Sequence, residues 1–381
     1  MMQADTEVHK GLEGVIVSES SVGFVDGQAG RLVYRGFNIE TLAARSNYEE
    51  VAYLLLYGHL PNQKEFENFK ATLRSTMELN TDTVDLIKSI GHKAHPMSVL
   101  RTVVSYIGAK DPKSNSTDLK DQEEMSLRIM SKFPAIVGTI ARASKGLNPV
   151  RPDPKLGYAA NFLYCSTGSR PDAEQEKIMD TCLILHADHG SNASTFSALV
   201  TIATLADMYS AVTSAISTLK GPLHGGANEL ALETIKKVGK PENAEQVLSK
   251  MLANKEKIMG FGHRVYKVYD PRARILKGFA ESVTHKNGKE VLFQTAEQME
   301  KVMISKLGEK GIFPNVDFYS GMVYDSLGFE SNMFTPIFAL ARVAGWTARS
   351  LEYVKDNKLF RPKAKYVGEI GPKDYIEIQK R

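Results

Sequence analysis

The sequence predicts an almost wholly α-helical fold with small β-hairpins near its start, and three observations carry that prediction. From about residue 40 onward, apolar residues recur at the spacing of one helix face, and Gly or Pro ends the stretches. Alternation with the period of a strand is confined to residues 15–34. The composition, 43% hydrophobic and 24% charged with no low-complexity tract, suits a chain that closes a sizeable core.

Residues 15–17, 23–25 and 31–34 read as short strands, the last two joined by a turn at Asp26-Gly27. Residues 47–60 place Val51, Leu54, Leu55 and Tyr57 at helical spacing before Gly58 and Pro61 stop the helix. Further helices follow over 65–77, 98–108, 121–144 (with a kink expected at Pro134) and 172–186. Residues 193–220 are rich in Ala, Ser, Thr, Leu and Val, small enough for helices to approach closely, and read as a buried or interface helix pair. Past Gly221-Pro222 the chain becomes more charged, through 236–257 and 286–310, then turns apolar again over 334–353. The organisation expected is a large helical domain over 1–221, a smaller domain over 222–330, and a return to the large domain over 331–381.

Lys plus Arg exceed Asp plus Glu by 48 − 44 = 4, with no long basic run, which fits anionic small molecules and not a nucleic-acid groove. Only Cys165 and Cys182 are present, so neither a disulfide framework nor a paired-cysteine zinc module can be built, and a cytoplasmic home is expected. Residues 1–14 carry Asp5, Glu7 and Glu13 without an apolar core, unlike a signal or transit peptide. No stretch reaches the roughly 18 apolar residues of a membrane span, so no membrane partner is expected.

Three loops in the second half each offer one acid/base residue among Gly and Pro. They are Gly221-Pro222-Leu223-His224-Gly225-Gly226, Gly260-Phe261-Gly262-His263-Arg264, and Pro314-Asn315-Val316-Asp317. Imidazole with carboxylate is the usual pairing for moving protons, and loops on a rigid scaffold are where such groups are aimed at a ligand. His224 stands where absent side chains leave room beside its ring, though a turn histidine has the same surroundings. Asp317 has the helix N-cap as its alternative role. Gly260-Phe261-Gly262 begins like a dinucleotide fingerprint but lacks the third glycine and a preceding apolar strand. What remains is a loop able to approach a ligand, with Arg264, Lys267, Arg272 and Arg274 nearby for phosphate or carboxylate, or else a solvated basic surface.

If residues 186–189 are helical, His186 and His189 share a face with Asn192 a further turn on. Substrate binding by His189, a capped helix start and a zinc site compete there, the last lacking a third and fourth ligand at suitable spacing. Arg342, inside an apolar helix, needs an anionic partner, which a bound carboxylate or an internal ion pair would supply.

In this order, His189, the His224 and His263 loops, Asp270-Pro271-Arg272, Asn315-Val316-Asp317, Arg342 and Arg361-Pro362 closely resemble the citrate synthase family, as do Tyr34-Arg35-Gly36-Phe37, Leu54–Gly58, Leu60-Pro61 and residues 161–164. The resemblance runs from about residue 12 to 368 and implies a mainly helical homodimer of the compact form, two domains closing over substrates, and the condensation of acetyl-CoA with oxaloacetate. It gives Asp317, His224 and His263 the catalytic roles. Oxaloacetate falls to His189, Arg272, Arg342 and Arg361, the last completing the neighbouring subunit's site, with Arg74 on a helix without a motif. CoA falls to Lys257, Ile258, Met259, Gly260 and Phe261, with Arg264 and Lys267 for its phosphates. No tightly bound cofactor and no metal are implied, the CoA thioester being a co-substrate. 2-Methylcitrate synthase, which uses propionyl-CoA, is the near alternative, and Arg264 after His263, where those enzymes often have proline, favours citrate.

Overall fold

The computed structural model describes residues 8–381, so part of the stretch read above as lacking a leader, residues 1–7, lies outside it. The chain is helical nearly throughout, with one three-stranded antiparallel sheet among the described residues. Strand β1 (Gly23–Asp26) pairs with β2 (Arg31–Tyr34), and β2 with β3 (Phe37–Asn38). Residues 15–17, expected as a strand, form none: Ile16 is 90% exposed, so the period-2 pattern there has no core to face.

The first helices are α1 (Ile39–Arg45), α2 (Tyr48–Tyr57), α3 (Gln63–Ser75), α4 (Thr81–Gly91), α5 (Pro96–Lys110), α6 (Leu119–Ala143), α7 (Tyr158–Thr167) and α8 (Ala173–His186). Side-chain caps fix several starts. Asn62 and Glu65 make a reciprocal capping box on α3, Asp172 and Gln175 make another on α8, and Gly58 ends α2 at a φ of +88°. Helix α6 runs on without a break through Pro134, with α7 packed along it. Gly138 permits that packing: an added Cβ would stand 2.8 Å from the carbonyl carbon of Cys165.

The small-residue stretch becomes the antiparallel pair α9 (Ala193–Ile202) and α10 (Met208–Leu219). Helices α11 (Ala227–Val238), α12 (Ala244–Ala253), α13 (Pro271–Lys286), α14 (Glu290–Leu307) and α15 (Val316–Ser326) follow, each with an apolar face beneath its charged one. They pack chiefly on one another, and touch the rest through α1 and α8 against α13 and through α16 (Phe334–Val354) against α11. Helix α16 is buried along most of its length and touches α2, α5, α6, α8, α9 and α10, which makes it the post of the larger body.

Gly138→Val is expected to cost about 1–3 kcal/mol by forcing α6 off α7. Chemical denaturation reads this, and a wild-type midpoint would show that the two helices have slack.

Candidate active site

Two backbone segments build the centre. Asn315 N–H donates to Gly260 O (2.9 Å), Gly262 N–H to Phe313 O (2.8 Å), and Asn315 Nδ2 to Gly262 O (2.8 Å). The loop carrying His263 is thereby stitched to the start of the helix carrying Asp317. Gly260 has to be glycine, since its φ is +85° and a Cβ there would press on Phe318 at 2.8 Å. Phe261 packs on the same Phe318 with its ring tilted, 4.5 Å between ring centroids.

Asp270 locks the next contact. Its carboxylate accepts from Arg272 N (3.0 Å) as the cap of α13, from Arg272 Nε and Nη2 (3.0 and 2.8 Å), and from Val316 N (3.2 Å) at the start of α15. One buried side chain therefore positions both Arg272 and the first turn of α15. Burial pulls the Arg272 guanidinium toward neutrality, but the Asp270 charge outweighs it and holds Arg272 firmly cationic.

Each histidine of the centre is neutral and oriented, His189 buried and His224 and His263 half-buried. His263 Nδ1 accepts from the N–H groups of Val265 and Tyr266 (3.0 and 3.1 Å), so its one proton sits on Nε2. His224 Nε2 accepts from Ser194 N (3.3 Å) and lies 2.8 Å from Ser194 Oγ, which also accepts from Trp346 Nε1 (3.1 Å). That leaves the His224 proton on Nδ1. Burial, then Arg272 for His263 and Arg342 for His224, pulls each of the two down to about 4. His189 Nε2 is 3.2 Å from Tyr266 Oη, its ring 5.1 Å from that of His263, and burial followed by Arg272 holds it far below the usual range. The His224 loop is fixed from beneath by Thr335 Oγ1, which donates to Gly225 O (3.0 Å).

Asp317 is not the cap of α15; Asn315 is, through its Oδ1 accepting from Asp317 N (3.0 Å). The Asp317 carboxyl is thereby free of cap duty. Burial pushes it up to about 7 against the downward pull of Arg272 and Arg342. Arg342 donates Nε to His186 O (2.6 Å) and lies over the Phe338 ring (4.7 Å), and no carboxylate pairs with it among the described residues. Its burial lowers it to about 10. A buried cation without an ion pair, acting on both Asp317 and His224, has the charge and the free guanidinium donors to hold an anionic ligand.

Several expected residues stand elsewhere. Helix α8 ends at His186, so His186 and His189 do not share a helix face: His186 Nδ1 lies 2.8 Å from Cys182 O while His189 turns toward His263, and Asn192 caps α9. Arg74 lines a separate small cavity with Glu49, Tyr158 and Asn161 between α3, α6 and α7, and is not gathered with the histidines. Arg361 is exposed, donating to Pro362 O (2.9 Å). Among the CoA candidates, Gly260 and Phe261 border Asp317 through Phe318, Ile258 and Met259 pack inward, and Lys257, Arg264 and Lys267 are exposed. Sequence reasoning gave no role to Ser194, Tyr266, Trp346 or Asp270. Only Asp270 carried a signal, an Asp-Pro pair opening a helix.

The model for the citrate synthase C-terminal domain matches residues 11–363. Citrate synthase from Deinococcus radiodurans is 45% identical over 99% of this chain and all of that protein, and that from Synechocystis sp. is 46% identical over 97% and 93%. The chain belongs to the citrate synthase family. The solved citrate synthase of Thermoplasma acidophilum, a ternary complex with carboxymethyl coenzyme A and oxaloacetate, superposes with a TM-score of 0.94 at 36% identity, covering 98% of this chain and 100% of that one. 2-Methylcitrate synthase from Mycobacterium tuberculosis is also a relative, 40% identical over 95% of this chain and 91% of that protein. Citrate synthases are acyltransferases that take a CoA thioester as co-substrate, and this chain is an enzyme of that class.

Because burial raises Asp317 from 3.8 to about 7, its contribution to stability is complete below about pH 4 and is lost as pH rises through 7. Asp317→Asn is therefore expected to stabilise the protein at pH 8, on the order of 2–4 kcal/mol, and far less at pH 5. Denaturant titrations at the two pH values check this; a gain independent of pH would contradict it.

Proposed function

We propose that the condensation of acetyl-CoA with oxaloacetate runs on Asp317, His224 and His263, and the observation that supports this best is that two neutral, opposite-tautomer imidazoles and a carboxyl poised near pH 7 share Arg272 and Arg342 as charged neighbours. The methyl group of a thioester is so weak an acid that a carboxylate removes its proton only if the oxyanion is met at once by a fixed donor. Asp317 takes the proton, and His224 Nδ1–H donates to the thioester oxygen. The carbon then bonds to the keto carbon of oxaloacetate, whose oxygen is held by His263 Nε2–H, takes up the negative charge and is protonated to the hydroxyl of citryl-CoA, which balances the proton that Asp317 removed. Hydrolysis of citryl-CoA releases citrate and CoA. Imidazoles held near 4 are neutral donors at physiological pH, and a neutral donor is less inclined than an imidazolium to surrender its proton outright.

Arg272, Arg342 and His189 receive the oxaloacetate carboxylates, and the partner's Arg361 completes the site. Arg361 lies in an exposed tail whose Val367 and Ile370 are 89% and 90% exposed, which supports a tail laid against a second copy. Residues 222–330 turn as a smaller domain over the bound acid, excluding water until condensation is done. Lys257, Arg264 and Lys267 meet the CoA phosphates at the rim. The location read from composition is cytoplasmic; no helix of the described residues is long and apolar enough to cross a membrane.

The acyl chain is the narrower question. One methylene is worth only about 1–3 kcal/mol of discrimination, so acetyl-CoA is taken as the preferred thioester over propionyl-CoA without strict exclusion. Thiol release with oxaloacetate is expected from acetyl-CoA faster than from propionyl-CoA. Asp317→Asn should lower kcat by about 10²–10⁴-fold. A wild-type protein that consumes neither thioester would end this reading.

A further inference from the structure

The β1–β2 hairpin is fastened at both ends to the acid-binding half of the site. At its base, Gly23 O accepts from Arg349 Nη2 (3.1 Å), and Arg349 forks onto Asp188 (2.7 and 2.8 Å), the residue before His189. Tyr34 on the neighbouring strand donates to Asp188 O (2.8 Å) and accepts from Asp188 N (3.1 Å). At its tip, Gly27 O accepts from Lys267 N (3.0 Å). A Cβ on Gly27 would overlap the Val265 carbonyl, with the carbonyl carbon at 2.6 Å, and a Cβ on Gly30 would meet Val268 Cγ2 at 2.8 Å. Gly30 also has a φ of +64°. The backbone that Gly27 touches is the backbone that orients His263, since Val265 N–H and Tyr266 N–H are its Nδ1 donors.

We propose that the turn Asp26–Gly30 is a latch that seats on residues 265–269 and sets His263 against His189, which makes Gly27 a positioning residue for the keto-acid half of the reaction. A side chain at 27 lifts the turn or pushes the Val265 peptide; either way the two N–H groups lose their aim at Nδ1 and the Nε2–H drifts from the ketone oxygen. Displacements well under an ångström are costly when a donor must meet developing charge. The hairpin's anchorage to Asp188 and Arg349 is untouched by such a change, so the larger body keeps its fold. Nothing in this contact reaches His224 or Ser194, and the thioester half is spared.

The inference rests on the assignment of His189 and His263 to oxaloacetate, and the experiment separates the two. Gly27→Ala and a shortened turn lacking Gln28 and Ala29 are compared with wild type and with His263→Ala in steady-state kinetics and thermal unfolding. Both hairpin variants are expected to raise the KM for oxaloacetate by about tenfold or more, with little change in the KM for acetyl-CoA or in the unfolding midpoint. The latch is overturned if the shortened turn keeps the wild-type oxaloacetate KM, whatever Gly27→Ala does, or if both KM values rise together with a lowered midpoint. If His263→Ala itself leaves the oxaloacetate KM and kcat unchanged, the assignment of the site fails first.

Discussion

The buried carboxylate of Asp270 is the constraint on which the centre depends. It satisfies the first turn of α13, forks onto Arg272 and accepts the backbone donor of Val316, so a single ion fixes both the Arg272 guanidinium and the start of the helix that carries Asp317. A buried pair of this kind earns little net stability, because desolvation consumes most of its Coulombic gain, but removing one partner leaves an uncompensated charge at about 3–5 kcal/mol. Its benefit here is geometric. Two helix starts meet at one group, and neither can turn without breaking hydrogen bonds to it.

Burial does a second task around that ion. Arg272 and Arg342 supply positive charge in a dry site, and the same dryness denies charge to the three imidazoles nearby. The backbone donors then choose the tautomer, Nδ1 accepting in His263 and Nε2 accepting in His224, so each ring turns its N–H outward from its anchor. The carboxyl of Asp317, relieved of capping by Asn315, is pushed up by the same lack of solvent. Four shifts in four residues have burial as their largest cause, and together they leave fixed cations and neutral hydrogen-bond donors around one carboxyl.

The helical fold, the strands at 23–26 and 31–34, and the pair α9–α10 were legible because hydrophobic periodicity and Gly or Pro punctuation are local signals. The strand expected at 15–17 failed for lack of a core to face. Of the site, His189, His224, His263, Asp317, Arg272 and Arg342 could be named from their motifs, but not what orients them. Ser194 and Trp346 meet at His224 across 152 residues, and Val316 meets Asp270 across 46. No local pattern encodes such pairings. The choice between Asn315 and Asp317 as cap was likewise settled by Asn315 Nδ2 reaching Gly262 O.

The central claim is that both ligand-facing imidazoles are neutral at physiological pH and hold opposite tautomers. Nitrogen-15 NMR of the histidine side chains at pH 7, assigned with His224→Ala and His263→Ala, tests it directly. The account predicts His263 protonated on Nε2 alone and His224 on Nδ1 alone. An imidazolium signal for either ring, or the same tautomer in both, would contradict it.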